Sequence, residues 1–173
     1  MDTDCCFREY CAVPETSLIK NDPRIPPHIA CLQDPLGNAV HAALQGELAG
    51  RSVAVLGCGP IGLLSISVCR ALGASCIAAS DTSAYRLGIA EQVGADMLCR
   101  IPEDDMDAAV LKATDGQGVD VVLEMSGAVS AVQQAMRLAR PGGRVSLMGI
   151  PSRPVELDLA EKVIFKGLTL HGV

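Results

Sequence analysis

The chain has 173 residues, 49% of them hydrophobic and 20% charged, with a net charge of −6. That apolar fraction supports a buried core and excludes disorder for most of the chain. Aromatic residues make up only 2%, and no basic block appears, so an aromatic-rich β-sandwich and a nucleic-acid binder are both excluded.

No secretory leader pattern follows Met1. The charge-free stretch from Ser52 to Cys69 is interrupted by Gly57, Gly59, Pro60 and Gly62. It reads as strand, turn and helix rather than a membrane span. The eight cysteines form no C-x-x-C pair. Buried thiols in a reducing, cytoplasmic setting are the expectation, not a disulfide scaffold or a zinc cluster.

The first 50 residues break into pieces. Arg8 to Val13 reads as a lone strand. Asn21 to Pro27 is a Pro-rich loop, and Ala30 to Leu32 a single helical turn. Asp34 to about Leu48 reads as a helix with Gly46 as its weak point. A lone strand needs a partner, so a larger parent protein is expected.

From Ser52 a regular alternation begins. Val53 to Gly57 reads as a buried strand and Ile61 to Leu72 as a helix with Leu64, Val68 and Leu72 in one row. Ser75 to Ser80 is the next strand, and Ala84 to Val93 a helix presenting Leu87, Ala90 and Val93. Met97 to Cys99 is strand. Asp104 to Thr114 is an amphipathic helix through Met106, Ala109, Val110 and Ala113. Asp120 to Glu124, Arg144 to Met148 and Leu168 to Val173 complete the strands. Ala128 to Ala139 is a helix, and Leu159 to Phe165 a short helical or irregular piece. Six strands with intervening helices predict an α/β, doubly wound parallel sheet of Rossmann type. The expected division is 1–50 and 51–173.

Gly57-Cys58-Gly59-Pro60-Ile61-Gly62 matches G-x-G-x-x-G between a predicted strand and helix, and Asp81 follows about twenty residues on. Each glycine has its own reason. Gly57 allows the tight turn, Gly59 lets a pyrophosphate approach the backbone, and Gly62 lets helix pack on sheet. The helix N-terminus offers unpaired N–H groups to phosphate. Asp81 is positioned to accept the adenosine ribose hydroxyls, with a helix cap as the alternative. Arg86 is either a solvated helix residue or part of the adenosine side. NAD is the expected cofactor.

These stretches, with Leu32 to His41, Leu123-Glu124-Met125-Ser126-Gly127, Pro141-Gly142-Gly143-Arg144 and Val163 to Gly167, resemble the medium-chain, zinc-dependent dehydrogenases. The branch acting on L-threonine is the most similar; sorbitol and butanediol dehydrogenases are near relatives. The resemblance implies cofactor contacts at Ile61, Asp81, Arg86 and the backbone of Met148, Gly149 and Ile150. It also implies a proton-relay role for Asp34, which by itself reads as an N-cap before Pro35. His41 reads as a packed helix residue rather than a ligand. The family's zinc-ligand pattern is not found in these residues, so no metal is expected in this chain. Residues 1–50 then read as a remnant of the GroES-like catalytic domain with its linking helix. The partners implied are NAD and a small alcohol or amino acid, with no membrane; a homo-oligomer through the last strand stays open. A free-standing NAD-binding module without chemistry is the alternative.

Overall fold

A computed structural model of the chain describes residues 9–173. Arg8, Cys5 and Cys6, on which part of the sequence reading falls, lie outside these residues. The chain divides into two compact units between Gln33 and Asp34. In the first, the expected strand is not formed over residues 9–13, which are neither strand nor helix. This segment carries a 3-10 turn, Glu15–Ser17, and one helical turn, α1 (Pro27–Ala30), set just before the predicted position. Pro27 at the first position starts it there.

The boundary falls after the first residue of α2 (Gln33–Ala43), the rest of which belongs to the second unit. This helix is shorter than predicted, and the reason is visible at its C-terminus. Ser146 Oγ donates to the Ala42 carbonyl at 2.9 Å and Arg144 Nη2 to the Ala43 carbonyl at 2.8 Å. These are carbonyls that a continuing helix would use itself.

Six strands follow: β1 (Ser52–Leu56), β2 (Cys76–Asp81), β3 (Met97–Arg100), β4 (Val119–Glu124), β5 (Ala139–Leu147) and β6 (Thr169–Gly172). They form one parallel sheet in the order β3-β2-β1-β4-β5-β6. The helices between them are α3 (Pro60–Ala71), α4 (Ala84–Gln92), α5 (Met106–Ala113) and α6 (Val129–Leu138). A π-helical turn, Ala160–Ile164, leads into β6. The strand predicted from Arg144 begins earlier, at Ala139, with a register shift between Val119 and Val121 of its neighbour.

Alternate residues of β1 serve two cores. Val53 and Val55 pack with Ile66, Ile77 and Leu123 on one face. Ala54 and Leu56 pack with Val110, Val122 and Met136 on the other. A strand buried on both faces reads as a continuous apolar run, which is why it was legible. The faces expected for α4 and α5 are the buried ones, through Leu87 and Ala90 and through Met106 and Val110, and the face expected for α3 is so only in part, through Val68. The buried residues of α3 are Gly62, Ser65, Ile66 and Cys69, whereas Leu72 is 39% exposed. Small residues bring this helix close to the sheet, and the leucine row lies beside that contact rather than in it.

Candidate functional site

The strand order reverses direction between β1 and β4, so the loops leaving their carboxyl ends diverge and open a crevice. The turn after β1 lies on it. Gly57 has φ of 99°, a left-handed conformation that favours glycine, and its N–H donates to the Ser80 carbonyl at 2.8 Å. At Gly62 a side chain would strike the Gly57 carbonyl, so only hydrogen lets α3 sit against the turn. A Cβ on Gly59 would meet nothing within 4 Å, leaving its backbone open on the crevice side. Pro60 opens α3 directly behind it.

Asp81 ends β2 beside this turn, only 8% exposed. Its Oδ2 accepts from the Cys58 N–H at 2.8 Å and faces Arg86 Nη1 at 3.4 Å. Its Oδ1 accepts from the Ser83 N–H at 2.8 Å. The cap of α4 is Ser83, not Asp81. Asp81 instead ties the glycine turn to the start of α4 and keeps its remaining lone pairs at the crevice. Burial, reinforced by the Asp81 charge and partly offset by Arg86, pushes the Cys58 thiol up to about 12. That thiol is therefore neutral and inert within the turn.

Gly57, Gly59, Asp81 and Arg86 line one cleft of about 330 Å³. Ile61, Gly62, Met148, Gly149 and Ile150 are not among its lining residues: Gly62 lies behind the turn, and Ile150 is 91% exposed. Sequence reasoning missed the opposite wall, where Met125, Ser126, Ala128, Ser130 and Gln134 face Thr82 and Ile101. The signal available was position, since all follow the carboxyl ends of parallel strands. Asp34 stands one residue inside α2, exposed, and its Oδ2 accepts from Asn38 Nδ2 at 3.3 Å. It is not an N-cap, because α2 begins at Gln33. His41 is exposed rather than packed. Cys58, Cys69 and Cys99 are buried as expected, but Cys11 and Cys31 are exposed.

Among the described residues no group of three or more His, Cys, Asp or Glu stands together to hold a metal ion. These residues do not fit a zinc site on their own. No described helix is long and apolar enough to cross a membrane.

The sheet order, the glycine turn and the acidic residue ending β2 are those of the Rossmann class. Within that class the chain belongs to the zinc-binding dehydrogenase family, whose pattern matches residues 60–173. It is 50% identical, over its whole length, to 49% of the L-threonine 3-dehydrogenase of Symbiobacterium thermophilum. An alcohol dehydrogenase from Thermus sp. ATN1 superposes with a TM-score of 0.83 at 36% identity, over 90% of this chain and 45% of that one. A zinc-binding dehydrogenase from Sinorhizobium meliloti bound to NADP superposes with a TM-score of 0.74 at 34% identity, over 80% and 42% of the two chains. The chain thus spans about half the length of the curated relatives it matches. The family works with a nicotinamide cofactor and an alcohol substrate.

Proposed function

We propose that this chain is the NAD-binding part of a dehydrogenase that oxidises a secondary alcohol. L-threonine is the substrate favoured by relatives at 40% to 50% identity. The observation that carries the reading is the meeting, in one cleft, of the open Gly57–Gly59 turn and the buried Asp81 carboxylate. Residues 51–173 hold the cofactor, and residues 1–50 are read as the remnant of the catalytic domain and its linking helix.

The residues divide the work. The backbone at Gly57 and Gly59 and the N-terminus of α3 receive the pyrophosphate. Asp81 accepts the ribose hydroxyls while its other hydrogen bonds hold it in place. Ile61 and the Met148–Gly149–Ile150 backbone bound the remaining length of the cofactor. The nicotinamide, when bound, takes the hydride. Asp34, by family resemblance, relays the alcohol proton through its carboxylate. The edge of β6 not paired with β5 is a surface where a second copy could add. Buried thiols at Cys58, Cys69 and Cys99 suit a reducing, cytoplasmic setting.

NAD is favoured over NADP by charge. A 2′-phosphate brings about −1.5 to −2 charges next to Asp81. At about 4 Å each unit costs on the order of 4 kcal/mol at an effective dielectric near 20. Arg86, 48% exposed and 3.4 Å from Asp81, offsets only part of this. Calorimetric titration with both cofactors tests the reading: tighter NAD binding supports it, and equal affinities would reject the role given to Asp81.

A further inference from the structure

Glu124 is a carboxylate that the cofactor reading does not use. It ends β4, on the crevice side of the strand reversal, and is fully buried. Its Oε1 accepts from the Ser126 N–H at 2.9 Å, the Ser126 hydroxyl at 2.5 Å and the Gly127 N–H at 3.0 Å. Its Oε2 is buried and accepts no hydrogen bond from the protein. Its backbone carbonyl accepts from the N–H groups of Met148 at 3.0 Å and Gly149 at 3.1 Å. The Glu124 carboxylate therefore holds the turn after β4, while its main-chain carbonyl carries the β4–β5 pairing on to Met148 and Gly149.

The two segments touch backbone to backbone. A Cβ on Gly149 would strike the Gly127 N–H, and it would come within 2.6 Å of Glu124 Oε2. A Cβ on Gly127 would lie 2.7 Å from the Ile150 carbonyl. A buried acceptor left unpaired costs free energy. An apolar residue would fill this space more cheaply, yet it could not receive the three Oε1 bonds.

We propose that Glu124 is a positioning residue: it clasps Met148–Ile150 against the turn after β4 and so shapes the nicotinamide end of the cofactor site. This rests on the cofactor reading above. The direction follows from topology. Asp81 and the Gly57–Gly59 turn occupy the β2 and β1 side of the crevice, so a dinucleotide crossing the strand reversal extends toward the ends of β4 and β5. Glu124 bears on the adenosine half only through Ser126, which it holds and which lines the cleft, whereas its tie to Gly149 bears on the nicotinamide half.

The test compares ADP, which probes the first half, with NADH, which probes both, using the 173-residue chain. Calorimetry supplies both affinities, and the NADH fluorescence shift reports the nicotinamide surroundings. Gly149→Ala opens the clasp at the exit of β5, and Glu124→Ala releases the turn after β4 together with Ser126 of the cleft wall. Gly149→Ala should leave ADP affinity within about twofold and weaken NADH about tenfold, the equivalent of one charge-assisted hydrogen bond, with loss of the fluorescence shift; Glu124→Ala should weaken NADH at least as much and more than it weakens ADP. Glu124→Gln keeps an acceptor at Oε1 and should restore most of the NADH binding. Equal weakening of ADP and NADH by Gly149→Ala, no change in either, or loss of fold in both alanine variants would overturn the proposal by making the contact structural only. If the unaltered chain binds neither ligand, it is the cofactor reading that fails, and this inference falls with it.

Discussion

Asp120 joins three strands at the end of the sheet away from the cleft. Its Oδ2 accepts from the Ser52 N–H and hydroxyl, both at 2.9 Å, and its Oδ1 from Arg140 Nε at 2.8 Å. Burial would raise its pKa, but these bonds outweigh burial and hold it below the ordinary 3.8. A carboxylate depressed on folding stabilises above its unfolded pKa, and the gain is lost as pH falls through the lower folded value. Asp120→Asn should therefore cost about 1–3 kcal/mol in denaturant unfolding at neutral pH. The gap to wild type should narrow only below about pH 3.8. A gap unchanged in acid would show that charge has no part in it. At the cleft, Asp81→Asn keeps an oxygen for one N–H bond and removes the charge. It should weaken NAD, strengthen NADP relative to it, and so narrow their ratio in calorimetry; an unchanged ratio would move the source of selectivity elsewhere.

Single side chains also decide where elements stop. Lys166 Nζ donates to the carbonyls of Met136 at 2.8 Å and Arg137 at 3.0 Å, two groups that the last turn of α6 leaves unpaired. Burial, then the nearby Lys162, pulls its pKa down, yet a cation at a helix C-terminus remains favourable. Lys166→Met should cost about 0.5–2 kcal/mol and increase hydrogen exchange in the last turn of α6. Unaltered exchange there would leave the bond without a capping role. Such ties explain what the sequence could and could not disclose. The central strands β1, β2 and β4 were legible because both faces are buried and each is a short, largely apolar run. The end of α2 was not, since Arg144 and Ser146 reach it from about a hundred residues away, a separation no local pattern encodes. Residues 9–13 have strand-like composition yet do not form a strand, since composition alone does not set backbone pairing.

Across the whole molecule, the half of the cleft made by contiguous sequence was legible and the half made by topology was not. The glycine turn and Asp81 lie within one βαβ unit, whereas Ser126 and Gln134 reach the crevice only through the strand order. The chain spans about half of its curated relatives, and its described residues hold no metal donor set. With the adenosine contacts proposed above, we expect NAD affinity near 1 mM, about 4 kcal/mol of binding. Ten millimolar NAD should then stabilise the fold by about 1.4 kcal/mol, since ligand that binds only the native state adds RT ln(1 + [L]/Kd). For a chain of this size that raises Tm by roughly 3–6 °C. Asp81→Asn should lose most of that rise, which separates specific binding from a general solute effect. With threonine, sorbitol or butanediol and NAD, no NADH should accumulate, and zinc should be absent after dialysis. Stoichiometric zinc, or turnover proportional to the amount of chain, would reveal a catalytic centre among these 173 residues and reject the division of labour proposed here.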